Sequence, residues 1–188
     1  MTLDVRQLSE AIALRNGTPA LLRAIRPDDR DRLAKAFLAL EPESVYLRYF
    51  SFKHELTPAD LDRLCEPDFR ERVVLVVTLG SGTDEIVIGA GGYVAHAAAS
   101  GQRVAEVAFA VEEDFHGQGI ASKLLAVLVD IARQDGIARF EAEVLARNAP
   151  MLQVFVRGGL PMQRTHSEEG VVSVSMALAA PNPADASR

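Results

Sequence analysis

The stretch VAEVAFAVEEDFHGQGIASKLL, residues 104–125, decides the fold expected of this chain. It begins as an apolar strand and ends in a run with helical periodicity, and Gly117 and Gly119 lie between the two. Glycine allows the backbone to turn without a Cβ clash, so N–H groups at the helix start can converge on one point. Such unpaired donors, together with the positive end of the helix dipole, favour a phosphate or pyrophosphate. The stretch therefore predicts a phosphorylated cofactor bound where this helix begins.

The segments on either side have the periodicities of a single α+β domain. Helices are expected at about residues 26–40, 42–50, 57–64, 119–134 and 148–157. Strands are expected at about residues 73–79, 86–94, 104–111, 138–145, 161–165 and 171–178. We predict a mixed, mostly antiparallel sheet of six or seven strands, flanked by helices, with one βαβ crossover that carries the glycine loop. Residues 1–17 are expected to be an N-terminal extension, residues 18–178 the domain, and residues 179–188 a disordered tail.

Composition excludes several classes of function. The net charge of −6, with scattered Lys and Arg, argues against nucleic-acid binding. No apolar run approaches the ~20 residues that a membrane-spanning helix needs. A single cysteine, Cys65, excludes an intrachain disulfide and indicates a reducing, cytoplasmic setting, and we expect its side chain to be packed rather than catalytic. The four histidines have no ligand-spaced partners, so no metal site is predicted.

The glycine loop allows a second interpretation, which the sequence disfavours. Residues 117–122 approximate the dinucleotide-binding pattern G-x-G-x-x-G, and Glu141 or Glu143 follows near the spacing of a ribose-binding acid. In that fold, however, the glycine turn starts at the end of the strand, whereas residues 112–116 intervene here. That fold also opens with this unit, whereas about 100 residues precede it in this chain.

The order of elements resembles the GNAT superfamily of N-acetyltransferases, whose acetyl-CoA signature is Gln/Arg-x-x-Gly-x-Gly/Ala. The corresponding residues here are 116–121, HGQGIA, in which Gly119 and Ala121 match and His116 departs from the usual Gln or Arg. Asn148 matches an Asn near the start of the next helix, and residues 159–160 match a Gly-Phe pair with Leu in place of Phe. The phrases LRAIRPDD, SVYLRYFS, VAEVAFAV and VLARNAPM resemble the bacterial Pat-type protein lysine acetyltransferases. The similarity covers roughly residues 18–178.

This resemblance implies acetyl-CoA as the co-substrate and assigns residues to its binding. Backbone groups near Val111 would hold the pantetheine arm, and Asn148 would be a further contact. The pyrophosphate would be held by the loop residues His116, Gly117, Gln118, Gly119, Ile120, Ala121 and Ser122. Ser122 is equally well interpreted as an ordinary residue of the helix N-terminus without a phosphate contact. Lys123 is better interpreted as a solvated charge on the helix than as a phosphate partner.

Acetyl transfer also needs a neutral amine, and Glu106 is the candidate base. A lysine amine has a reference pKa of about 10.4, so only about one in two thousand is unprotonated at pH 7. Glu106 is the one carboxylate in an apolar strand, and strand alternation places it on a face with Val104, Ala108 and Ala110, so partial burial is expected. In the Pat-type family the matching glutamate is the general base. The alternative is that Glu106 merely faces water.

Other residues expected near the site bear on how the thiolate leaves and how the oxyanion is stabilised. Many GNAT enzymes have a Tyr that protonates the leaving thiolate, and this chain has Phe155 at that position. The Pat-type group also lacks that Tyr, so Phe155 does not argue against activity. A thiol has a pKa of only about 8.5, so it can leave without a strong acid. By the resemblance, a strand N–H near Ala110 or Val111 would stabilise the oxyanion. Tyr93 and His96 are better read as packing or surface residues. Residues 112–114, EED, indicate a solvated turn or, less favoured, an acidic surface for a basic substrate.

The leading hypothesis is acetyl transfer from acetyl-CoA to protein lysine side chains by direct attack. Two alternatives stay open at this point: a small-molecule amine N-acetyltransferase, and a non-catalytic acyl-CoA-binding regulatory domain. A homodimer is kept open as an assembly state, which the sequence does not settle.

Overall fold

The computed structural model describes residues 4–49, 54–166 and 170–178. In these ranges the chain forms one eight-stranded sheet and five α-helices. The strands are β1 Ser9–Ala13, β2 Pro19–Ala24, β3 Arg72–Leu79, β4 Ile86–Ala97, β5 Arg103–Val111, β6 Arg139–Leu145, β7 Met162–His166 and β8 Val171–Ala177. The helices are α1 Arg30–Ala39, α2 Pro42–Tyr49, α3 Pro58–Cys65, α4 Ile120–Gln134 and α5 Ala149–Arg157. Residues 179–188, expected to be a disordered tail, and Phe50, expected to end the second helix, lie outside the described residues.

The strand order is β1-β2-β3-β4-β5-β6-β8-β7, and every neighbouring pair is antiparallel except β5 and β6. Helix α4 connects the two parallel strands, so it is the predicted crossover and the predicted α+β fold is confirmed. A doubly wound dinucleotide-binding domain would need a mainly parallel sheet. The arrangement of the described strands therefore excludes that interpretation.

The prediction of six or seven strands was slightly wrong, because β1 and β2 were not recognised. They pair as a hairpin across the Asn16-Gly17 turn, in which Gly17 has a φ of 86°. Most of β1 is exposed at the edge of the sheet, so its sequence lacks the alternation of a half-buried strand. Residues 9–13, which the sequence assigned to an extension, are thus part of the sheet.

Helix α4, which the helical periodicity of the sequence predicted, packs on one face of the sheet through an apolar stripe. Its buried side chains are Ile120, Leu124, Leu125, Leu128, Val129, Ile131 and Ala132. The close approach requires glycine in β4, since a Cβ on Gly89 would lie 2.7 Å from Cγ2 of Ile120 on α4. This packing fixes where α4 begins relative to the end of β5, and therefore fixes the position of the glycine loop.

Helices α1 and α3 pack on the opposite face around a second apolar cluster, which includes Leu33, Cys65 and Val76. Cys65 is 1% exposed, and burial raises the pKa of its thiol to about 11, so the prediction of a packed cysteine is confirmed. Beside this cluster lies a buried ion pair, in which both guanidinium Nη atoms of Arg23 donate to the carboxylate of Asp29 at 2.7 Å. Among the helices of the described residues, none is long and apolar enough to cross a membrane.

Candidate active site

Strands β5 and β6 are paired only at one end. Their parallel register covers residues 104–106 of β5 and 139–141 of β6, and β5 continues beyond it to Val111. In the antiparallel pair of β4 and β5, every second residue of β5 hydrogen-bonds to β4. The Glu112 N–H donates to the Ile88 carbonyl at 3.0 Å, so the residues of β5 that bond to β4 are the even-numbered ones. The N–H and C=O groups of Val107, Phe109 and Val111 therefore point away from β4, towards β6. The gap between the strands is bordered by backbone groups that β6 does not pair.

A cavity of about 240 Å³, here called the interstrand cavity, occupies this gap. It is lined by Glu106, Val107, Ala108, Phe109, Ala142, Glu143, Val144, Asn148, Met151 and Phe155. Asn148 is the N-cap of α5, since its side-chain oxygen accepts the Met151 N–H at 3.3 Å. Phe155 is buried and packs at a tilt against Phe109, with ring centroids 6.2 Å apart. Both residues singled out in the sequence thus lie in the wall of one cavity.

The glycine loop has the conformation that the sequence predicted. Gly117 and Gly119 have φ values of 73° and 85°, in the left-handed region that other residues rarely adopt, and Gly119 is the N-cap of α4. The first hydrogen bond of this helix runs from the Lys123 N–H to the Gly119 carbonyl, at 3.0 Å. The N–H groups of Ile120, Ala121 and Ser122 consequently have no helical partner. Such a set of donors, at the positive end of a helix of 15 residues, fits a phosphate group.

His116 and Gln118 have their side chains bound to other parts of the protein. The ring Nε2 of His116 lies 2.8 Å from the Val111 carbonyl oxygen. The side-chain Oε1 of Gln118 accepts the Asn16 N–H at 3.0 Å, and its backbone carbonyl accepts the Arg15 N–H at 3.2 Å. The two side chains therefore fix the shape of the loop, and the donors that remain for a ligand belong to the backbone.

Glu106 is exposed, so the expectation that it is partly buried was wrong. Its residue pairs are Val94 on β4 and Glu141 on β6, and past this point β6 no longer covers β5. The next pair on the same face is Gly92 and Ala108, whose small side chains leave open space. Among the described residues, no ion pair or hydrogen bond engages the Glu106 carboxylate.

A second cavity of about 290 Å³, here called the helix-side cavity, lies between the sheet and helices α1 and α3. Its helix-side wall is mainly apolar and includes Leu33, Ala36, Phe37, Leu40 and Leu64, together with Asp60 and Arg63 of α3. Glu106, Ala108 and Phe109 line both cavities. The Glu106 carboxylate is thus within reach of both spaces.

Glu112 was expected in a solvated turn, but it is half-buried and lines the helix-side cavity. Burial, followed by the charges of Asp114 and Glu113, raises the pKa of its carboxyl group. The signal was present in the sequence, because Glu112 continues the even-numbered positions of β5, among which Glu106 lies.

Tyr93 is a buried residue and His96 a surface residue, as predicted, and Tyr93 also lines part of the helix-side cavity. Tyr93 is buried, its hydroxyl donates to Asp135 at 3.0 Å, and burial raises its pKa far above its usual range. His96 has its Nε2 3.7 Å from the carboxylate of Glu141. Over the described ranges, no group of three or more His, Cys, Asp or Glu side chains is arranged to hold a metal ion.

Comparison with known proteins gives a consistent result. The family model described as acetyltransferase (GNAT) domain matches residues 20–160. The acetyltransferase Pat of Mycolicibacterium smegmatis is 32% identical over 148 residues, which cover 79% of this chain and 43% of that protein. The chain thus spans less than half the length of that relative.

Solved structures show the same fold. The GNAT domain of S. lividans PAT superposes with a TM-score of 0.79 at 34% identity, and the match covers 90% of this chain and 96% of that domain. The yncA protein of Salmonella typhimurium, solved with its cofactor acetyl-CoA, has a TM-score of 0.66 at 17% identity, with 87% and 98% covered. At that identity the second likeness concerns the fold alone.

Proposed function

Because the chain belongs to the GNAT family of acetyl-CoA-dependent acetyltransferases, we propose that it acetylates lysine side chains of proteins, with Glu106 as the general base. One observation carries this proposal. The unpaired carboxylate of Glu106 lines both the interstrand cavity and the helix-side cavity. A base in that position can accept a proton from an amine in one space while the amine attacks a thioester in the other.

The donor side is supported by backbone geometry. The loop formed by residues 116–122 presents the unpaired N–H groups of Ile120, Ala121 and Ser122 to the pyrophosphate of acetyl-CoA. The pantetheine arm would lie along the open edge of β5, beside Val107, Phe109 and Val111, with Asn148 on the opposite wall. When bound, acetyl-CoA supplies the thioester whose acetyl group is transferred.

The acceptor side is supported by the composition of the helix-side cavity. The apolar part of the wall suits the four-methylene stem of lysine, and Glu106 and Glu112 suit its cationic end, although Arg63 and Arg72 also line the cavity. The relative from Mycolicibacterium smegmatis and the domain from S. lividans both carry the name Pat, which agrees with a protein substrate. Removing the amine proton at pH 7 costs about 4–5 kcal/mol, and Glu106 as proton acceptor would lower that barrier.

The oxyanion formed during attack needs a nearby N–H donor. The sequence left Ala110 and Val111 as candidates, and the register separates them. Ala110 pairs with Ala90 on the β4 side, whereas the Val111 N–H points into the gap between β5 and β6. We therefore assign the oxyanion contact to Val111. Phe155, in the same cavity wall, has no proton to donate, so the thiolate would leave unprotonated.

The test compares Glu106→Gln with Glu10→Gln, which changes an exposed acid on the edge strand β1. We expect Glu106→Gln to lower kcat on a lysine-bearing protein by about 10²-fold or more while calorimetric affinity for acetyl-CoA stays unchanged. Glu10→Gln should behave as wild type. Equal kcat in both variants would remove Glu106 from the mechanism.

The acceptor class is tested separately, with protein substrates assayed beside polyamines, aminoglycosides and free amino acids. Turnover of the small amines alone would select a small-molecule N-acetyltransferase. Tight acetyl-CoA binding without turnover of any amine would select a non-catalytic acyl-CoA-binding domain.

A further inference from the structure

The turn between β1 and β2 is bound to the glycine loop, although the two are separated by about a hundred residues in sequence. The backbone N–H of Arg15 donates to the Gln118 carbonyl at 3.2 Å, and the Asn16 N–H donates to the Gln118 side chain at 3.0 Å. The Arg15 Nη1 donates to the Gly117 carbonyl at 3.0 Å. This turn precedes residues 20–160, the part of the chain that the family model matches. A segment outside the matched part therefore contacts the loop that would hold the cofactor.

The guanidinium of Arg15 lies beside the N-terminus of α4. Its Nε is 3.6 Å from the position that a Cβ would occupy on Gly119, the N-cap of that helix. One of its N–H donors bonds to Gly117, and the others remain available because guanidinium presents several in one plane. Within the part of the chain that the structure describes, no carboxylate forms an ion pair with Arg15.

We infer that Arg15 binds the pyrophosphate of the acetyl donor directly, beside the unpaired N–H groups of Ile120, Ala121 and Ser122. This inference rests on the proposed function, since it needs acetyl-CoA in the glycine loop. A planar guanidinium matches the spacing of phosphate oxygens, and its bonds to them are charge-assisted. The three hydrogen bonds of the turn explain how a side chain on an edge hairpin is held in place for this contact.

The experiment must separate a phosphate contact from simple support of the loop. Three acetyl donors do so: acetyl-CoA, acetyl-dephospho-CoA, which lacks the 3′-phosphate, and S-acetylpantetheine, which has no phosphate. The variants are Arg15→Ala and Arg15→Lys. The second keeps the positive charge but lacks the planar guanidinium with its paired N–H donors. The matched control is Arg164→Ala, on the opposite edge strand β7. Steady-state kcat/KM for each donor is measured together with calorimetric affinity for CoA and the thermal unfolding midpoint without ligand.

We expect Arg15→Ala to lower kcat/KM for acetyl-CoA and for acetyl-dephospho-CoA about 10- to 100-fold, through KM rather than kcat. The value for S-acetylpantetheine should not change, CoA affinity should fall by the same factor, and Arg15→Lys should recover part of the loss. Arg164→Ala should match wild type throughout.

Three results would overturn the inference. A fall in kcat/KM confined to acetyl-CoA would place the Arg15 contact at the 3′-phosphate. An equal fall with all three donors would show that Arg15 only supports the loop. An unchanged kcat/KM with every donor would remove Arg15 from the site. If Arg15→Ala lowers the unfolding midpoint, the comparison of donors is made with Arg15→Lys. Failure of the proposed function is distinguishable, because wild-type protein would then acetylate no lysine-bearing protein, whereas the effect of Arg15→Ala on CoA affinity is measured by calorimetry without turnover.

Discussion

The imidazole Nε2 of His116 lies 2.8 Å from the backbone carbonyl oxygen of Val111, so the glycine loop is tied to the end of β5 by a side chain. His116 is the residue that departs from the Gln or Arg expected at the start of the acetyl-CoA signature. The bond fixes the direction in which the chain leaves β5, and thereby the distance between the strand edge and the N-terminus of α4. The departure at this position thus has a structural role in holding the loop.

Replacing His116 tests that role. Because a single exposed hydrogen bond contributes only about 0.5–1.5 kcal/mol, we expect His116→Ala to raise KM for acetyl-CoA a few-fold with kcat nearly unchanged. His116→Gln keeps a donor that can reach the Val111 carbonyl, so its KM should stay near the wild-type value. Steady-state kinetics with varied acetyl-CoA check both. A large fall in kcat with unchanged KM would show instead that His116 acts in the chemical step.

The buried ion pair between Arg23 and Asp29 should dominate the response of the fold to charge removal. Asp29→Asn leaves the buried Arg23 guanidinium with Glu85 as its remaining carboxylate partner among the described residues, so we expect a loss of about 3 kcal/mol in the free energy of unfolding, the lower end of the cost of breaking a buried ion pair. The control Asp31→Asn, at an exposed position in the first turn of α1, should change it by less than about 0.5 kcal/mol. Urea unfolding at pH 7 measures both. Equal stability of the two variants would contradict the assignment.

The same pair predicts a pH dependence. Burial alone would raise the pKa of Asp29, but hydrogen bonds from Arg23 and from the Arg26 N–H outweigh it, and the pKa is lowered. A carboxyl group with a lowered pKa in the folded state stabilises fully above its unfolded pKa of about 3.9. That contribution is lost as the pH falls below this value and through the folded pKa. The stability difference between wild type and Asp29→Asn should therefore be constant from about pH 7 to 5 and shrink below about pH 4.

Burial of Cys65 predicts an unreactive thiol. Its pKa is raised to about 11 by desolvation, so very little thiolate is present at pH 8. Native protein should react with a disulfide reagent such as dithionitrobenzoate far more slowly than protein unfolded in urea. Cys65→Ala should keep its acetyl-transfer activity. Rapid, stoichiometric labelling of the native protein with loss of activity would contradict this.

Sequence reasoning found the parts of the site that depend on local geometry. The loop at Gly117 and Gly119 and the buried stripe of α4 follow from residue type and spacing over a few turns. It failed where the environment depends on distant strands. The exposure of Glu106 results from the end of the register with β6, and alternation along β5 alone does not show where a neighbouring strand diverges.

The contact between Arg15 and Gly117 could not be predicted from the sequence either, because it too depends on an element that is distant along the chain. The two residues are 102 positions apart, and β1 has too few buried residues to be recognised as a strand. Without that strand, the turn that follows it has no expected position relative to the loop.

Glu112 should contribute to the recognition of a cationic acceptor. It lines the helix-side cavity with Glu106, and its ionised carboxylate would attract the lysine ammonium group as it enters. We expect Glu112→Gln to raise KM for a lysine-bearing substrate several-fold, up to about tenfold, and to leave KM for acetyl-CoA unchanged. The control Asp130→Asn, at an exposed position on α4, should change neither KM value.

The attraction between Glu112 and the acceptor should also depend on pH. Since burial and then the charges of Asp114 and Glu113 raise the pKa of Glu112, protonation of the wild type removes this attraction at a higher pH than for an ordinary glutamate. The acceptor KM of the wild type should therefore rise as the pH falls through that raised pKa, whereas that of Glu112→Gln should lack this rise. An acceptor KM equal in both proteins at every pH would exclude Glu112 from acceptor binding.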